Sequence, residues 1–358
     1  MAKERFLKEY HNILTKDLPR ELNKYLEVEE IQRLHNIGYF CGADYTNRDM
    51  YRLKFYYSTY DHSYAVASIV WHFTHDLTQT IASLLHDISS PVFRHAIDFM
   101  NGDSHSQEST EGHTERIIKE SSGLVKCLIA DGIDVEDVVD YKKYPIADND
   151  RPRISADRLE GIFSNNYIWT KTINIFDIDD IYNNIILVKN EDNLTEMAFT
   201  DINIARRVFT EALILNHRMA ANEDKLCMMM LAKITKLSID KGLLTVNNLY
   251  GANEQEVVNL LDNVEDEDIS RLWTTFRNMH RIYRSDDGYE KNSFYIDNES
   301  FKVKTRFVDP LVIVNNNLVR LMAIDKISMD RKLEADKFSD TRYACVPIMN
   351  AKVLVKKK

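Results

Sequence analysis

The sequence predicts a mostly α-helical protein with a small strand-containing region at its C-terminal end. Its 358 residues include only 10 glycines and 6 prolines, which is well below the usual share of these turn-forming residues. Apolar side chains recur at helical spacing through most of the chain, whereas β-branched residues with partial alternation appear only from about residue 293. This pattern argues for long helices and against β-sandwiches, barrels and repeated Gly-rich nucleotide loops.

Composition and charge narrow the class of protein. Hydrophobic residues make up 44% and charged residues 28% of the chain, which is ordinary globular usage and allows a sizeable core. The net charge of −10 disfavours a broad nucleic-acid-binding surface. Because the sequence has neither a long apolar run nor an apolar leader, we expect a cytoplasmic protein without a membrane partner. The four widely spaced cysteines predict reduced thiols rather than disulfides or a thiolate zinc site.

Helical periodicity predicts helices along most of the chain. In chain order we expect them over residues 1–36, His62–Leu85 with a break near Asp76–Gln79, Ile154–Phe163, Arg206–Leu243 and two short acidic helices within 253–279. Ser90–Pro91 marks a break or a helix start, because proline suits a first turn. Residues 141–153 hold two prolines and form the clearest internal loop. We assign 1–290 to one helical domain and 291–358 to a C-terminal α+β extension, with packing on the same core as one option.

Histidine is distributed very unevenly. Seven of the 11 histidines lie within residues 62–113. Imidazole is the commonest protein metal ligand and the usual acid or base near neutral pH. Clustering alone leaves a metal site and coincidence equally open.

The order of the residues is more informative than their number. His62 lies at a helix start in YDHSYAVASIV, His86-Asp87 closes an apolar helix in IASLLHDI, and Asp157 opens another in ISADRLEGI. An adjacent His and Asp offer a nitrogen and a carboxylate oxygen to one ion, and a His and an Asp from other helices would complete four ligands. Two imidazoles and two carboxylates suit one divalent ion of intermediate hardness: Mn, Mg, Fe, Co, Ni or Zn. Coordination positions left open for water and a phosphate oxygen make such a site catalytic in form.

With these residues in this order, the chain resembles the HD-domain superfamily of metal-dependent phosphohydrolases, closest to its deoxynucleoside triphosphate triphosphohydrolase-like branch. The resemblance covers about residues 30–315. It rests on IQRLHNIGYFCGADYT, YDHSYAVA and LLHDISSPVFRHAIDF, and more loosely on Arg206–Arg207 and VKTRFVDPLV. It implies an HD-domain helical bundle with a divalent ion on His62, His86, Asp87 and Asp157. The implied activity is hydrolysis of a small-molecule phosphate ester or anhydride, a nucleotide above all, by attack of metal-activated water on phosphorus. It also implies a homo-oligomer.

A second His-Asp pair, His75-Asp76, lies 11 residues before His86-Asp87. That spacing is about three helical turns, so periodicity alone does not choose between the two pairs. The resemblance favours His86-Asp87, because PVFRH follows it. We assign His75 an ordinary helix-end role.

The resemblance also implies roles for four further residues. His95 would act as general acid for the leaving oxygen, with a helix-surface or capping role as the alternative. Glu108 would accept a proton or orient water or His95, and Gln107 would hydrogen-bond the substrate. The alternative for Gln107 and Glu108 is a structural role in the first turn of a helix, where an acidic side chain is favourable. Arg158 would bind phosphate beside the metal, unless it forms a salt bridge with Glu160 or another acid.

Three positions differ from the related branch and leave the identity of the substrate open. Thr59 and Ser90 stand where the related branch usually carries an arginine and a histidine that contact phosphate, and Gly161 replaces a common aromatic residue. These changes leave two alternatives open. The first is a nucleotide monophosphatase or cyclic-nucleotide phosphodiesterase, and the second is a catalytically silent nucleotide sensor. The basic loop residues would either line a phosphate entrance or be solvated: Lys142, Lys143, Arg151 and Arg153.

Overall fold

The computed structural model describes residues 2–350, which are mostly α-helical with two small β-sheets, so the predicted class is confirmed. The α-helices are α1 Ala2–Leu14, α2 Leu22–Leu26, α3 Glu29–Arg33, α4 Arg48–Tyr51, α5 Thr59–Thr74, α6 Leu77–Leu85, α7 His95–Met100, α8 Thr114–Glu120, α9 Ser122–Asp131, α10 Ala156–Asn165, α11 Ile175–Asn183, α12 Ile202–Ala220, α13 Asn222–Asp240, α14 Val246–Gly251, α15 Glu254–Asp262, α16 Glu267–Asn278, α17 Leu321–Ile324 and α18 Lys326–Asp336. Across residues 2–350, every helix is too short or too polar to cross a membrane.

The strands form one four-stranded and one three-stranded sheet. They are β1 Ile185–Lys189, β2 Thr195–Phe199, β3 Tyr283–Ser285, β4 Ser293–Asp297, β5 Leu311–Val314, β6 Asn317–Arg320 and β7 Tyr343–Pro347. The larger sheet has the order β1-β2-β5-β6, with β2 and β5 parallel and the other pairs antiparallel. The smaller has the order β3-β7-β4 and is antiparallel throughout. Both sheets pair strands from the two sides of residue 290, and the domain boundary there stays a prediction.

Three details differ from the sequence prediction. The predicted helix Arg206–Leu243 is divided into α12 and α13 by the extended Ala221. One continuous helix over residues 1–36 is wrong, because the segment is divided into α1, α2 and α3. Pro19 lies in the first break, and a residue before proline is driven out of the helical conformation. The strands β1, β2 and β3 were not predicted, because they are short and lie in a segment that otherwise has helical spacing.

Three helices position the predicted metal ligands, and each has a clear start or end signal. Ser58 and Asp61 form a capping box at the start of α5. The side chain of Asp76 caps the start of α6, and that of Ser155 caps the start of α10. Both α6 and α10 pack against α5. His62 and Asp157 therefore lie in first turns, and His86-Asp87 directly follows the end of α6.

Candidate metal centre

The structure brings all four predicted metal ligands together. His62, His86 and Asp87 form a group that could hold a metal ion, and a carboxylate oxygen of Asp157 lies beside it. His62 Nε2 is 3.3 Å from His86 Nε2, 3.7 Å from Asp87 Oδ2 and 3.2 Å from Asp157 Oδ1. His86 Nε2 is 3.6 Å from Asp87 Oδ2 and 3.8 Å from Asp157 Oδ1. Ligand atoms about 2.1 Å from one ion lie roughly 3.0–3.5 Å from each other. The four side chains would therefore need to move only slightly toward one another to bind the same ion.

Both imidazoles are oriented through their other ring nitrogen. His86 Nδ1 lies 2.7 Å from the Ser83 carbonyl oxygen. His62 Nδ1 is bonded to the carboxylate of Glu160, a fully buried residue that also accepts the Tyr57 hydroxyl at 2.8 Å. Fixing Nδ1 in this way points Nε2 into the cluster, which is the usual second-layer support of metal-binding histidines.

Glu160 has a role that the sequence analysis did not assign. It was considered only as a salt-bridge partner of Arg158, yet its contacts are with His62 and with hydroxyl groups. The signal available in the sequence is its spacing, because Glu160 lies three residues after Asp157 on the same helix. Residues at that spacing share a helix face, so both carboxylates reach the first turn of α5.

The electrostatics of the cluster favour a bound cation. Burial by itself lowers the pKa of His62, but the carboxylates of Glu160 and Asp157 outweigh it and raise the pKa to about 10. Burial by itself raises the pKa of Asp87, but Arg94 and the two imidazoles hold it well below its usual range. The attraction that holds a proton on His62 would equally stabilise a divalent ion between the four ligand atoms.

Arg94 places a fixed positive charge next to the cluster. Its Nη2 lies 2.7 Å from Asp87 Oδ2, and its Nη1 donates to Thr59 Oγ1 at 2.9 Å. The guanidinium also stacks over the Tyr39 ring, 5.0 Å from its centroid. Phe93 and Arg94 both have positive φ angles, 66° and 43°, and such strain in non-glycine residues is characteristic of functional turns. Arg94 was not predicted as a site residue, although Arg94 directly precedes His95 in PVFRH.

His95 begins α7 and lines the same cavity as the cluster. Its Nδ1 lies 2.9 Å from Oδ2 of Asp98, whose Oδ1 accepts the Ser109 hydroxyl at 2.6 Å. Burial lowers the pKa of His95, and the charge of Asp98 only partly offsets this. Asp98 was not predicted, although its spacing of three residues on the helix places it beside His95.

Gln107 and Glu108 line the cavity in different ways. Gln107 is buried and accepts a hydrogen bond from the guanidinium of Arg306. The side chain of Glu108 is 51% exposed and lies 3.7 Å from Lys142 Nζ. The carboxylate bound to His95 is therefore that of Asp98, and Glu108 lies at the solvent-facing part of the cavity wall.

Arg158 also lines the cavity, but its guanidinium is already engaged. Its Nη1 lies 3.0 Å from Asp148 Oδ1, and its Nε donates to the Arg153 carbonyl oxygen at 2.9 Å. A salt bridge to an acid was the alternative to phosphate binding, and the partner is Asp148 rather than Glu160.

The cavity has a volume of about 520 Å³. The metal cluster lies in its wall. Its cationic lining comprises Arg94, Lys142, Arg151, Arg153, Arg158, Lys304 and Arg306, and its apolar lining includes Phe40, Tyr51, Trp169, Leu215, Met219 and Met228. His75, His105 and His113 are not among the lining residues. Glu108, Asp148, Asp150 and Asp224 line it as well, so the cavity combines a candidate metal centre with apolar surface and with charges of both signs.

Comparisons with known proteins show the fold but name no activity. No protein-family model matches the chain. The uncharacterized protein YdhJ of Bacillus subtilis (strain 168) is 20% identical over 309 residues, which is 85% of this chain and 88% of that protein. The crystal structure of a hypothetical protein from Aquifex aeolicus matches with a TM-score of 0.60 at 15% identity, covering 92% of this chain and 93% of that one.

Proposed function

We propose that this protein is a metal-dependent phosphohydrolase of the HD-domain type that acts on nucleotides, in the manner of the deoxynucleoside triphosphate triphosphohydrolases. One observation carries the proposal. The Nε2 atoms of His62 and His86 lie within 3.8 Å of each other and of carboxylate oxygens of Asp87 and Asp157, and each imidazole is oriented through its Nδ1. Such a constellation at a cavity whose lining includes seven Lys and Arg side chains suits a phosphate substrate.

His62, His86, Asp87 and Asp157 would hold one divalent ion, such as Mn, Mg, Fe, Co, Ni or Zn. When bound, the ion lowers the pKa of coordinated water and offsets negative charge on the phosphoryl group. Arg94 would offset negative charge on the phosphoryl group, because Asp87 and Thr59 hold its guanidinium beside the ligand atoms. A guanidinium fixed in advance binds phosphate without the cost of ordering a flexible side chain.

His95 would move the proton to the leaving oxygen. Asp98 accepts from Nδ1, which leaves Nε2 to hold the mobile proton. The positive charges of Arg94 and Arg306 contribute to the lowered pKa of His95, after burial. An anionic phosphate between these groups would offset both charges and favour the protonated imidazole, which is the form that acts as an acid.

The cavity supports a nucleotide as the substrate. Its apolar and aromatic lining could pack against a base, and its cationic lining could bind phosphates. One observation favours the alternative, a monophosphatase or cyclic-nucleotide phosphodiesterase. Thr59 and Ser90 replace two phosphate-contacting residues of the related branch, and Arg158, the third expected contact, is paired with Asp148. The cytoplasmic location and the homo-oligomer stay predictions.

The test is phosphate release from a panel of deoxynucleoside and nucleoside triphosphates, monophosphates and cyclic nucleotides with Mn, Mg, Co or Ni. Asp87→Ala serves as the control. Triphosphate release that needs both metal and Asp87 would support the proposal, and turnover of monophosphates or cyclic nucleotides alone would support the alternative. Nucleotide binding without turnover under any metal would contradict both and indicate a sensor.

A further inference from the structure

Arg306 differs from the other buried and half-buried arginines of the cavity. Arg94, Arg153 and Arg158 each contact a carboxylate, that of Asp87, Asp192 and Asp148 respectively. Arg306 donates instead to the neutral amide of Gln107 and, at 3.3 Å, to the carbonyl oxygen of Lys304. Among the described side chains, no carboxylate forms an ion pair with its guanidinium.

A guanidinium without an ion-pair partner in this position raises the free energy of the folded protein. Burial lowers the pKa of Arg306, and the carboxylate of Asp224, which lies beyond contact distance, only partly offsets this. Removing a charge from water without an ion-pair partner costs free energy that the fold must recover elsewhere. A bound anion is the partner that would recover it.

Arg306 is also held in place before any ligand binds. It lies in the irregular segment between β4 and β5, and its backbone N–H donates to Asn216 Oδ1 at 2.6 Å. Gln107, which is buried with a φ of 56°, accepts from its side chain. Such preorganisation is typical of binding residues, because ordering is completed before the ligand arrives.

Its position relates it to the proposed chemistry. The charge of Arg306 acts on His95 and on the Cys41 thiol, as does the charge of Arg94. All four residues line one cavity. An anionic group next to His95 would therefore be attracted by two guanidiniums, one at the candidate metal cluster and one on the C-terminal segment.

We propose that Arg306 binds a phosphate group of the substrate other than the one at the metal cluster, and that Gln107 is its positioning residue. The proposal rests on the proposed function and extends it, since the C-terminal segment then completes the substrate site. Gln107 serves the substrate through Arg306 rather than by direct contact.

The experiment measures binding of inorganic pyrophosphate and, separately, of Mn²⁺ by calorimetry. Arg306→Gln should weaken pyrophosphate binding at least about tenfold, because a charge-assisted contact is lost. Arg306→Lys should be intermediate. Gln107→Ala should weaken binding severalfold alone and add nothing to Arg306→Gln. Mn²⁺ binding should stay unchanged throughout, and the exposed Arg281→Gln is the matched control.

Thermal unfolding separates a binding role from a structural one. Arg306→Gln should unfold at the same temperature as the wild type or higher, because it removes an uncompensated charge. Pyrophosphate binding within twofold of the wild type would overturn the proposal, and so would parallel losses of Mn²⁺ binding and thermal stability. If the wild type fails to bind Mn²⁺ while pyrophosphate binding still depends on Arg306, the metal assignment fails and the phosphate subsite stands.

Discussion

His75-Asp76 and His86-Asp87 are the same dipeptide at two helix ends of one α5–α6 hairpin, yet only the second pair lines the cavity. His75 ends α5 with a φ of 50°, and its side chain is 59% exposed. Asp76 caps α6 by accepting from the Gln79 N–H at 3.1 Å. The first pair therefore joins two helices at the protein surface, where His75 Nε2 lies 3.6 Å from Asp17 Oδ2.

The position of each pair along the hairpin explains the difference. His62 lies in the first turn of α5, and His75 follows 13 residues later, which is about 20 Å along a helix. Because α6 packs back along α5, its end returns to the first turn. His86 Nε2 thus reaches within 3.3 Å of His62 Nε2, and its side chain is only 4% exposed. The hairpin, rather than the dipeptide, decides which His-Asp pair joins the candidate metal centre.

The largest effect is expected when the second pair, His86-Asp87, is disrupted. Asp87→Ala should weaken Mn²⁺ binding by at least about 100-fold, because a coordinating carboxylate is lost and Arg94 is left unpaired. Calorimetric titration with Mn²⁺ measures this, and circular dichroism should show that the helices remain. Asp76→Ala is the matched control and should bind Mn²⁺ as the wild type does. Equal losses in the two variants would show that the wrong pair has been assigned.

A smaller effect is expected from Glu254, which supports the turn beside the second pair and has no counterpart at the first pair among the described residues. Glu254 is fully buried and accepts the backbone N–H of Phe93 at 3.2 Å, next to the strained Arg94 turn. Burial, with a contribution from Asp44, raises the pKa of Glu254 to about 8. Because the folded pKa exceeds the unfolded one, this group stabilises the protein below about pH 4.5, and the contribution is lost as pH rises through 8.

The free energy of unfolding of the wild type should therefore fall relative to Glu254→Gln between pH 5 and pH 8. The expected change is a few kcal/mol, at about 1.4 kcal/mol for each unit of pKa shift. Urea unfolding at several pH values measures it. Glu256→Gln, an exposed capping residue on the same helix, should leave the pH dependence as it is in the wild type. A wild-type curve parallel to that of Glu254→Gln would contradict the assignment.

The smallest effect concerns the first pair itself. Asp76→Ala should lower the free energy of unfolding by about 1 kcal/mol, because the start of α6 loses its side-chain cap. Denaturant unfolding in the presence of EDTA measures this. A loss of more than about 3 kcal/mol would mean that Asp76 does more than cap a helix.

The sequence by itself predicted the helical class, the break between α5 and α6, and the four residues that the structure brings together as a candidate metal cluster. These features follow from local signals. Apolar spacing marks a helix, and capping residues mark its ends, so His62, His86 and Asp157 could be placed at helix ends without a structure. The resemblance to a known family then supplied the choice between the two His-Asp pairs, which periodicity had left open.

Only the tertiary structure decided which groups support and complete the site. Glu160 reaches His62 across 98 residues of sequence, and Arg306 reaches Gln107 across 199. The turn that directs Arg94 toward Asp87 depends on an N–H accepted by Glu254, 161 residues away from Phe93. Such partners are set by how helices and irregular segments pack, and no local spacing records that packing. The same reason explains why β1 and β2 were missed, since β2 pairs with β5 far along the chain.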